Sequence, residues 1–286
     1  MKANMKAWIQ MGFLFMAVLI VLAACGGNNN NANVNNEGEA GGQTAAPANL
    51  FEEMKQSGKI RVGLMGTYKP YNFMNENQEL DGFDVDVAKA VAEHIGVEPE
   101  FITGEFSGLI EGLQGEKYDV LISQVTITED RKKTMDFSDP YVKNAVNIVV
   151  NDDNTTIQSL EDFKGKRIGV GLGTNDEKYL RDVVMPEVGN FEIATYNDVI
   201  TSLMDLNNGR IDATINNVFA IQPLIEENNF KIKAVGEPIK EDYAGIAMRK
   251  DNPELLEAIN GALEEMKTDG TFQDIFQKWF KVDPNI

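Results

Sequence analysis

"GLIEGLQGEKYDVLIS" at Gly108–Ser123 and "ITSLMDLNNGRIDATIN" at Ile200–Asn216 follow the same order of residue types. Each reads as a helix, a basic residue, an apolar residue, an Asp and then a strand, with Lys117-Tyr118-Asp119-Val120 matching Arg210-Ile211-Asp212-Ala213. The repeat predicts two lobes of similar βαβ design, each with its own sheet. A ligand held between such lobes meets strand C-termini and helix N-termini from both sides.

The flanking sequence keeps the alternation. "KIRVGLM" reads as a buried strand, and "GFDVDVAKAVAEHIG" as an amphipathic helix. In that helix Phe83, Val87, Ala90, Val91 and Ile95 recur near the 3.6-residue period and Gly96 marks the stop. "VEPEFIT", "NAVNIVV", "KRIGVGL", "FEIATY", "FKIKAVG" and "YAGIAMR" read as strands. "NDEKYLRDVV", "VFAIQPLIEEN", "NPELLEAINGALEEMKTDG" and "TFQDIFQKWF" read as helices between and after them. Strand and helix in turn predict an α/β fold with mostly parallel sheets.

The N-terminus has a different character. Lys2 and Lys6 precede an apolar run that ends in "LAAC", which is the order of a secretory signal. Residues 1–24 are therefore expected to be a signal peptide. "LAAC" resembles the lipobox of bacterial lipoproteins, which implies lipid modification of Cys25. Cys25 is the one cysteine in the chain, so no intrachain disulfide forms. The Asn/Gly-rich segment over 25–49 has no hydrophobic periodicity and reads as a flexible tether. As a coil of ~25 residues it spans about 25–30 Å.

The remaining chain, about 235 residues, is long enough for one large core or two small ones. The sequence carries 26 Lys+Arg against 45 Asp+Glu; without Lys2 and Lys6 the balance is 24 to 45, a formal charge of −21. Such an acidic surface argues against nucleic acid or anionic membrane as partner.

Side chains suited to catalysis are scarce. The single histidine, His94, lies within an amphipathic helix, and no Cys/His spacing suggests a metal. "NDDNTT" lacks the glycine and distal glutamate of a calcium loop, and "GVGLGTN" lacks the dinucleotide fingerprint. No cofactor, metal or catalytic residue is expected. "SQVTITEDRKK" at Ser123–Lys133 is more informative, since Ser123, Thr126 and Arg131 offer two hydroxyls and a guanidinium fork suited to a carboxylate. From these residues alone Arg131 has two readings: an anion cradle, or a surface pair with Glu129 or Asp136.

A run of motifs extends the reading. "VGLMGTYKPYNF", "LDGFDVDVAKAVAEHIGV", "GLIEGLQGEKYDVLIS", "TITEDRKKTMDFSDPY", "SLEDFKGKRIGVGLGTN", "GRIDATIN" and "MKTDGTFQDIFQKWF" follow in order from about Lys59 to Phe280. In this they resemble the family 3 solute-binding proteins, the polar amino acid receptors of ABC importers. The resemblance implies a clamshell of two α/β lobes, the periplasmic-binding-protein fold, joined by two hinge-crossing strands. Lobe 1 is expected at 50–144 plus 241–286 and lobe 2 at 145–240.

The resemblance also assigns roles. Arg131 matches the arginine that holds the ligand α-carboxylate, with Ser123 and Thr126 beside it. Thr174 and Asn175 of "GTN" match contacts from the opposite lobe, and Tyr68 and Phe106 match aromatics that sandwich the ligand side chain. Two positions depart from the family pattern. Met65 stands where receptors for cationic amino acids often carry an aspartate. Asn217 stands where many members pair an acid with the ligand α-ammonium. An amide accepts a hydrogen bond but cannot neutralise the charge, and Asp176 is a candidate to supply it.

The expected function is capture of a polar or neutral amino acid, or a related small carboxylate such as cystine, for an ABC permease. The protein is expected to be a monomer, lipid-anchored on the outer face of the bacterial membrane. Two other readings of the scaffold are a cyclohexadienyl dehydratase-like enzyme and the ligand-binding module of a sensor.

Overall fold

Asp119 and Asp212, the matched aspartates of the repeat, make the same contact in two different sheets. Asp119 Oδ2 accepts the backbone N–H of Arg61 at 2.8 Å, and Asp212 Oδ2 accepts that of Arg167 at 2.7 Å. Each aspartate N–H donates back to the carbonyl of the same arginine. A strand entering beside its neighbour thus has its first backbone groups paired by the Asp that opens it. These contacts come from a computed structural model that describes residues 49–284. The expectations for residues 1–24, for Cys25 and for nearly all of the tether lie outside the described residues.

The first sheet runs Glu98–Thr103, Lys59–Leu64, Val120–Leu121, Ala247–Arg249, Met135–Phe137. Its first three strands are parallel, and Ala247–Arg249 is antiparallel to both neighbours. The second sheet runs Glu192–Tyr196, Arg167–Gly171, Ala213–Asn217, Val142–Asn151, Ile232–Ala244. Again three strands are parallel, and the long pair that completes the sheet is antiparallel. Both sheets are therefore mixed: a parallel half comes from each repeat unit, and returning chain adds antiparallel strands. A small sheet of Thr67–Tyr68, Asn72–Met74 and Leu80–Asp81 presents Tyr68.

The helix Phe83–Ile95 shows how the first core is built. Phe83, Val87, Ala90, Val91 and Ile95 are all buried, and Gly96 ends the helix at φ 71°, a left-handed conformation that glycine adopts without strain. Phe83 meets Phe276 and Phe280 of the C-terminal helix Thr271–Phe280 at ring-centroid distances of 5.6 and 5.0 Å. Each such buried aromatic or aliphatic side chain contributes about 1.5–3 kcal/mol.

The second core gathers Val146, Ile148, Val150, Phe163, Ile168, Val170 and Ile215. The strands Val142–Asn151 and Ile232–Ala244 link the two cores. Val142 and Ala244 pack in the first, whereas Val146, Ile148 and Val235 pack in the second. Their antiparallel register shifts between Val235 and Lys240. That irregularity bends the pair where it passes from one lobe to the other.

"NDEKYLRDVV", expected as one helix, is divided. Asn175–Tyr179 is α-helical, Leu180–Val184 forms a π turn, and Met185–Val188 resumes the α-helix. Pro186 has no N–H to return to the turn before it, which favours the wider turn at that point.

Candidate functional site

The two lobes enclose a cleft of about 810 Å³, its open mouth included. Met65, Tyr68, Phe106, Ser123 and Thr126 line it from the first lobe, and Thr174, Asn175, Asp176 and Asn217 from the second. The crossing strands add Asn144 and Asp242. Residues far apart in sequence thus converge on one cavity of ligand size.

Arg131 is not among the lining residues but stands directly behind them. Thr128 caps the short helix Glu129–Lys132 by accepting the N–H of Arg131, which turns the chain back toward the strand it left. Arg131 Nη1 donates to the Thr126 carbonyl at 2.9 Å, and the guanidinium lies 5.7 Å from the Phe106 ring centroid. Neither surface partner considered from the sequence holds it. Glu129 pairs with Lys132 at 2.9 Å, and Asp136 pairs with Lys250 at 2.7 Å. Burial lowers the Arg131 pKa, and the fields of Asp176 and Asp242 oppose that shift.

Several lining groups are already engaged. Ser123 Oγ accepts the Met65 N–H at 3.1 Å, so it fixes the end of the first strand. Thr174 Oγ1 donates to the Gly171 carbonyl at 2.8 Å and accepts the N–H of Glu177, capping the helix Asn175–Tyr179. Asn217 caps the helix Val218–Asn228 through its Oδ1, which accepts the N–H of Phe219. Its Nδ2 donates to Tyr71 Oη at 2.7 Å and to Asn144 Oδ1 at 2.6 Å. With both ends of the amide occupied, Asn217 ties the second lobe to the first.

That tie belongs to a buried polar network that sequence reasoning missed. Asn144 Nδ2 donates to Gln124 Oε1, and Gln124 Nε2 donates to Asp84 Oδ1 at 2.6 Å. Tyr141 Oη and Asn72 Nδ2 also donate to Asp84. Asp84 is fully buried, and burial pushes its carboxyl up to about 7 against the pull of these three donors. Gln124 reaches the network from a left-handed backbone, φ 54°, uncommon for a residue with a side chain. In sequence Asp84 reads as an ordinary acid in the first turn of a helix.

The acidic groups of the cleft are also paired. Lys240 Nζ lies 2.7 Å from Asp176 Oδ1 and bonds Asp242 Oδ2 as well. Asn175 Nδ2 donates to the same Asp242 oxygen at 2.9 Å. Of these partners only Asp176 and Asn175 were legible as site residues. Lys240 and Asp242 fall between the expected strands "FKIKAVG" and "YAGIAMR", whereas the structure carries one strand through them, Ile232–Ala244. Farther along the second-lobe wall lie Tyr196, Asn197, Asp198 and Ser202. Asp198 caps the helix Val199–Asn207, and Tyr196 Oη donates to Asp205 at 3.0 Å.

The lobes touch around the cleft. Lys69 pairs with Glu227 at 2.6 Å, and Phe219 meets Phe280 at 5.2 Å between centroids. A Cβ on Gly173 would stand 3.0 Å from Ser107 Cα, so the second-lobe loop lies against the first lobe. Such contacts describe a closed arrangement, able to surround a small ligand.

Known proteins share this arrangement. The chain is 39% identical over 239 residues to the L-cystine-binding protein TcyJ of Escherichia coli (strain K12), covering 83% of this chain and 88% of that one. It is 31% identical over 273 residues to the L-cystine-binding protein TcyA of Bacillus subtilis (strain 168), covering 94% and 96%. A solved structure of an ancestral arginine-binding protein bound to arginine superposes with a TM-score of 0.74 at 44% identity, covering 78% and 98%. The family description "Bacterial extracellular solute-binding proteins, family 3" matches residues 60–282, and so takes in both sheets, the crossing strands and the cleft between them. The chain belongs to the bacterial extracellular solute-binding proteins, family 3.

Proposed function

We propose that the protein captures an amino acid between its two lobes and delivers it to an ABC permease. The observation that carries this reading is the cleft itself, with a half-buried arginine against one wall and paired carboxylates in another. Arg131 takes the ligand α-carboxylate, Thr126 contacts the same end, and Ser123 holds the wall behind them. Tyr68, Phe106 and Met65 enclose the apolar part of the ligand. Thr174, Asn175 and Asn217 form the second-lobe face. Closure is ligand-driven because a ligand that bridges both walls binds the closed form better.

Polar groups at Asn197, Asp198 and Ser202 extend along the second-lobe wall, which favours a ligand that is polar at both ends. Cystine has that character, and it is the ligand named for the two relatives above. Those relatives are binding proteins, which supports delivery over turnover.

Lobe 1 is taken as 50–144 with 241–286 and lobe 2 as 145–240, a division supported by the register shift in the crossing strands. Cleavage before Cys25 and its lipidation would hold the protein on the outer face of the membrane, where a permease is reached. A thermal-shift screen of the purified protein against the standard amino acids and cystine tests the reading. Stabilisation by one or more of them is expected; a flat response across the whole panel contradicts it.

A further inference from the structure

Asn217, where the family resemblance leads us to expect an acid for the ligand ammonium, has its amide engaged in holding Tyr71, Asn144 and the helix at Phe219. Three carboxylates line the cleft elsewhere: Asp198, which caps the helix Val199–Asn207, Asp176 of the second lobe and Asp242 of a crossing strand. Asp176 and Asp242 are the two whose fields reach Arg131. Lys240 bridges them, at 2.7 Å from Asp176 and bonded to Asp242. The three side chains are 20%, 17% and 15% exposed for Asp176, Asp242 and Lys240, so water screens them poorly. Lys240 also lies 5.7 Å from the Tyr179 ring centroid, which limits where its ammonium can go.

Two carboxylates and one ammonium leave a single net negative charge. Arg131 supplies the opposite charge within the field of the same pair. A ligand of zero net charge leaves no charge over, whether it carries one group of each sign or, like cystine, two. A ligand of net positive charge leaves one cation uncompensated in a site largely removed from water, which is costly.

We propose that Lys240 sets the ligand charge the cleft accepts: by neutralising one carboxylate of the Asp176–Asp242 pair, it holds the receptor to ligands of zero net charge against those of net positive charge. Asp176 and Asp242 together then do the work that an acid at Asn217 would do. This inference rests on the proposed amino acid-binding role.

Isothermal titration of the mature protein with L-cystine and L-arginine tests it. Wild-type protein is measured first: if neither probe binds while another amino acid stabilises the protein, the charge rule fails and the binding role stands, and if no amino acid does, the binding role fails as well. Lys240→Met leaves two carboxylates unneutralised. The ratio of arginine affinity to cystine affinity is expected to rise by about tenfold or more. Lys240→Arg keeps the charge and should stay near the wild-type ratio. The double variant Lys240→Met with Asp176→Asn restores one net negative charge and should return toward that ratio, which a merely structural strut would not do. An unchanged ratio in Lys240→Met, or an equal loss of both ligands with no recovery in the double variant, overturns the proposal. If Lys240→Met does not fold, Asp176→Asn alone leaves a neutral Lys240–Asp242 pair. Cystine binding should then fall by about tenfold or more, and undiminished binding overturns the proposal.

Discussion

The side-chain amide of Asn217 donates to Tyr71 Oη at 2.7 Å, and so joins the first residue of a second-lobe helix cap to the core of the first lobe. Asn144, on a crossing strand, receives the same amide and is donated to by Tyr71 as well. A residue expected from the sequence to face the ligand is here used to hold the lobes together.

Replacing Asn217 by Asp separates these roles. The carboxylate still accepts the N–H of Phe219, so the helix cap survives, but it has nothing to donate to Asn144 Oδ1. Asn217→Asp is expected to lower stability by about 1–3 kcal/mol, measured by urea denaturation, because Asn144 Oδ1 loses the nearer of its two donors and a carboxylate is buried beside it. Stability equal to wild type would mean that the interlobe tie is not formed in solution.

Asp119 and Asp212 occupy matched positions in the repeat but differ in surroundings. Asp119 is buried and also holds the Arg61 guanidinium at 2.6 Å, whereas Asp212 is exposed. Asp119→Ala is expected to cost about 2–4 kcal/mol, since a backbone N–H and a guanidinium lose a buried partner. Asp212→Ala should cost about 1 kcal/mol or less. Equal losses in denaturant titrations would show that burial is not what separates them.

The buried carboxyl of Asp84 makes stability depend on pH. Its pKa in the folded protein is raised from 3.8 to about 7, chiefly by burial. A raised carboxyl pKa favours the folded state below the unfolded pKa, and that advantage is lost as pH rises through the folded value. Relative to Asp84→Asn, wild-type stability should therefore fall between about pH 4 and pH 7, by on the order of 4 kcal/mol. A stability difference that stays flat over this range, or runs the other way, contradicts that origin.

Much of the architecture was legible in the sequence because it depends on local pattern. The spacing of Phe83, Val87, Val91 and Ile95 places a helix face whatever lies opposite it, and the Lys117–Val120 and Arg210–Ala213 repeat fixes two strand starts. The stretch from Ser123 to Arg131 was legible for a similar reason, since its contacts with Thr126 and Thr128 are local. Lys240 and Asp242 were not. Which way they face depends on the register shift against the strand Val142–Asn151, a pairing made across some ninety residues of chain. Asp84 was missed because its burial comes from Asn72, Gln124 and Tyr141, three separate segments that only tertiary packing unites.

Membrane attachment has its own test. Cys25→Ser should prevent incorporation of labelled palmitate and move the protein from the membrane fraction to the soluble extracytoplasmic fraction. Unchanged membrane retention would rule out Cys25 as the anchor.

The proposed function depends most on docking of an amino acid carboxylate on Arg131, beside Thr126 and Phe106 of the cleft. Its guanidinium bonds the Thr126 carbonyl behind the wall and rests against Phe106, so removing it takes away the cation of that end. Calorimetric titration of wild type and Arg131→Ala with L-cystine and L-arginine tests the claim most directly. L-cystine is expected to bind wild type and not detectably to bind Arg131→Ala, with the variant's circular dichroism spectrum unchanged. Binding of either amino acid to the folded variant at wild-type affinity would contradict it.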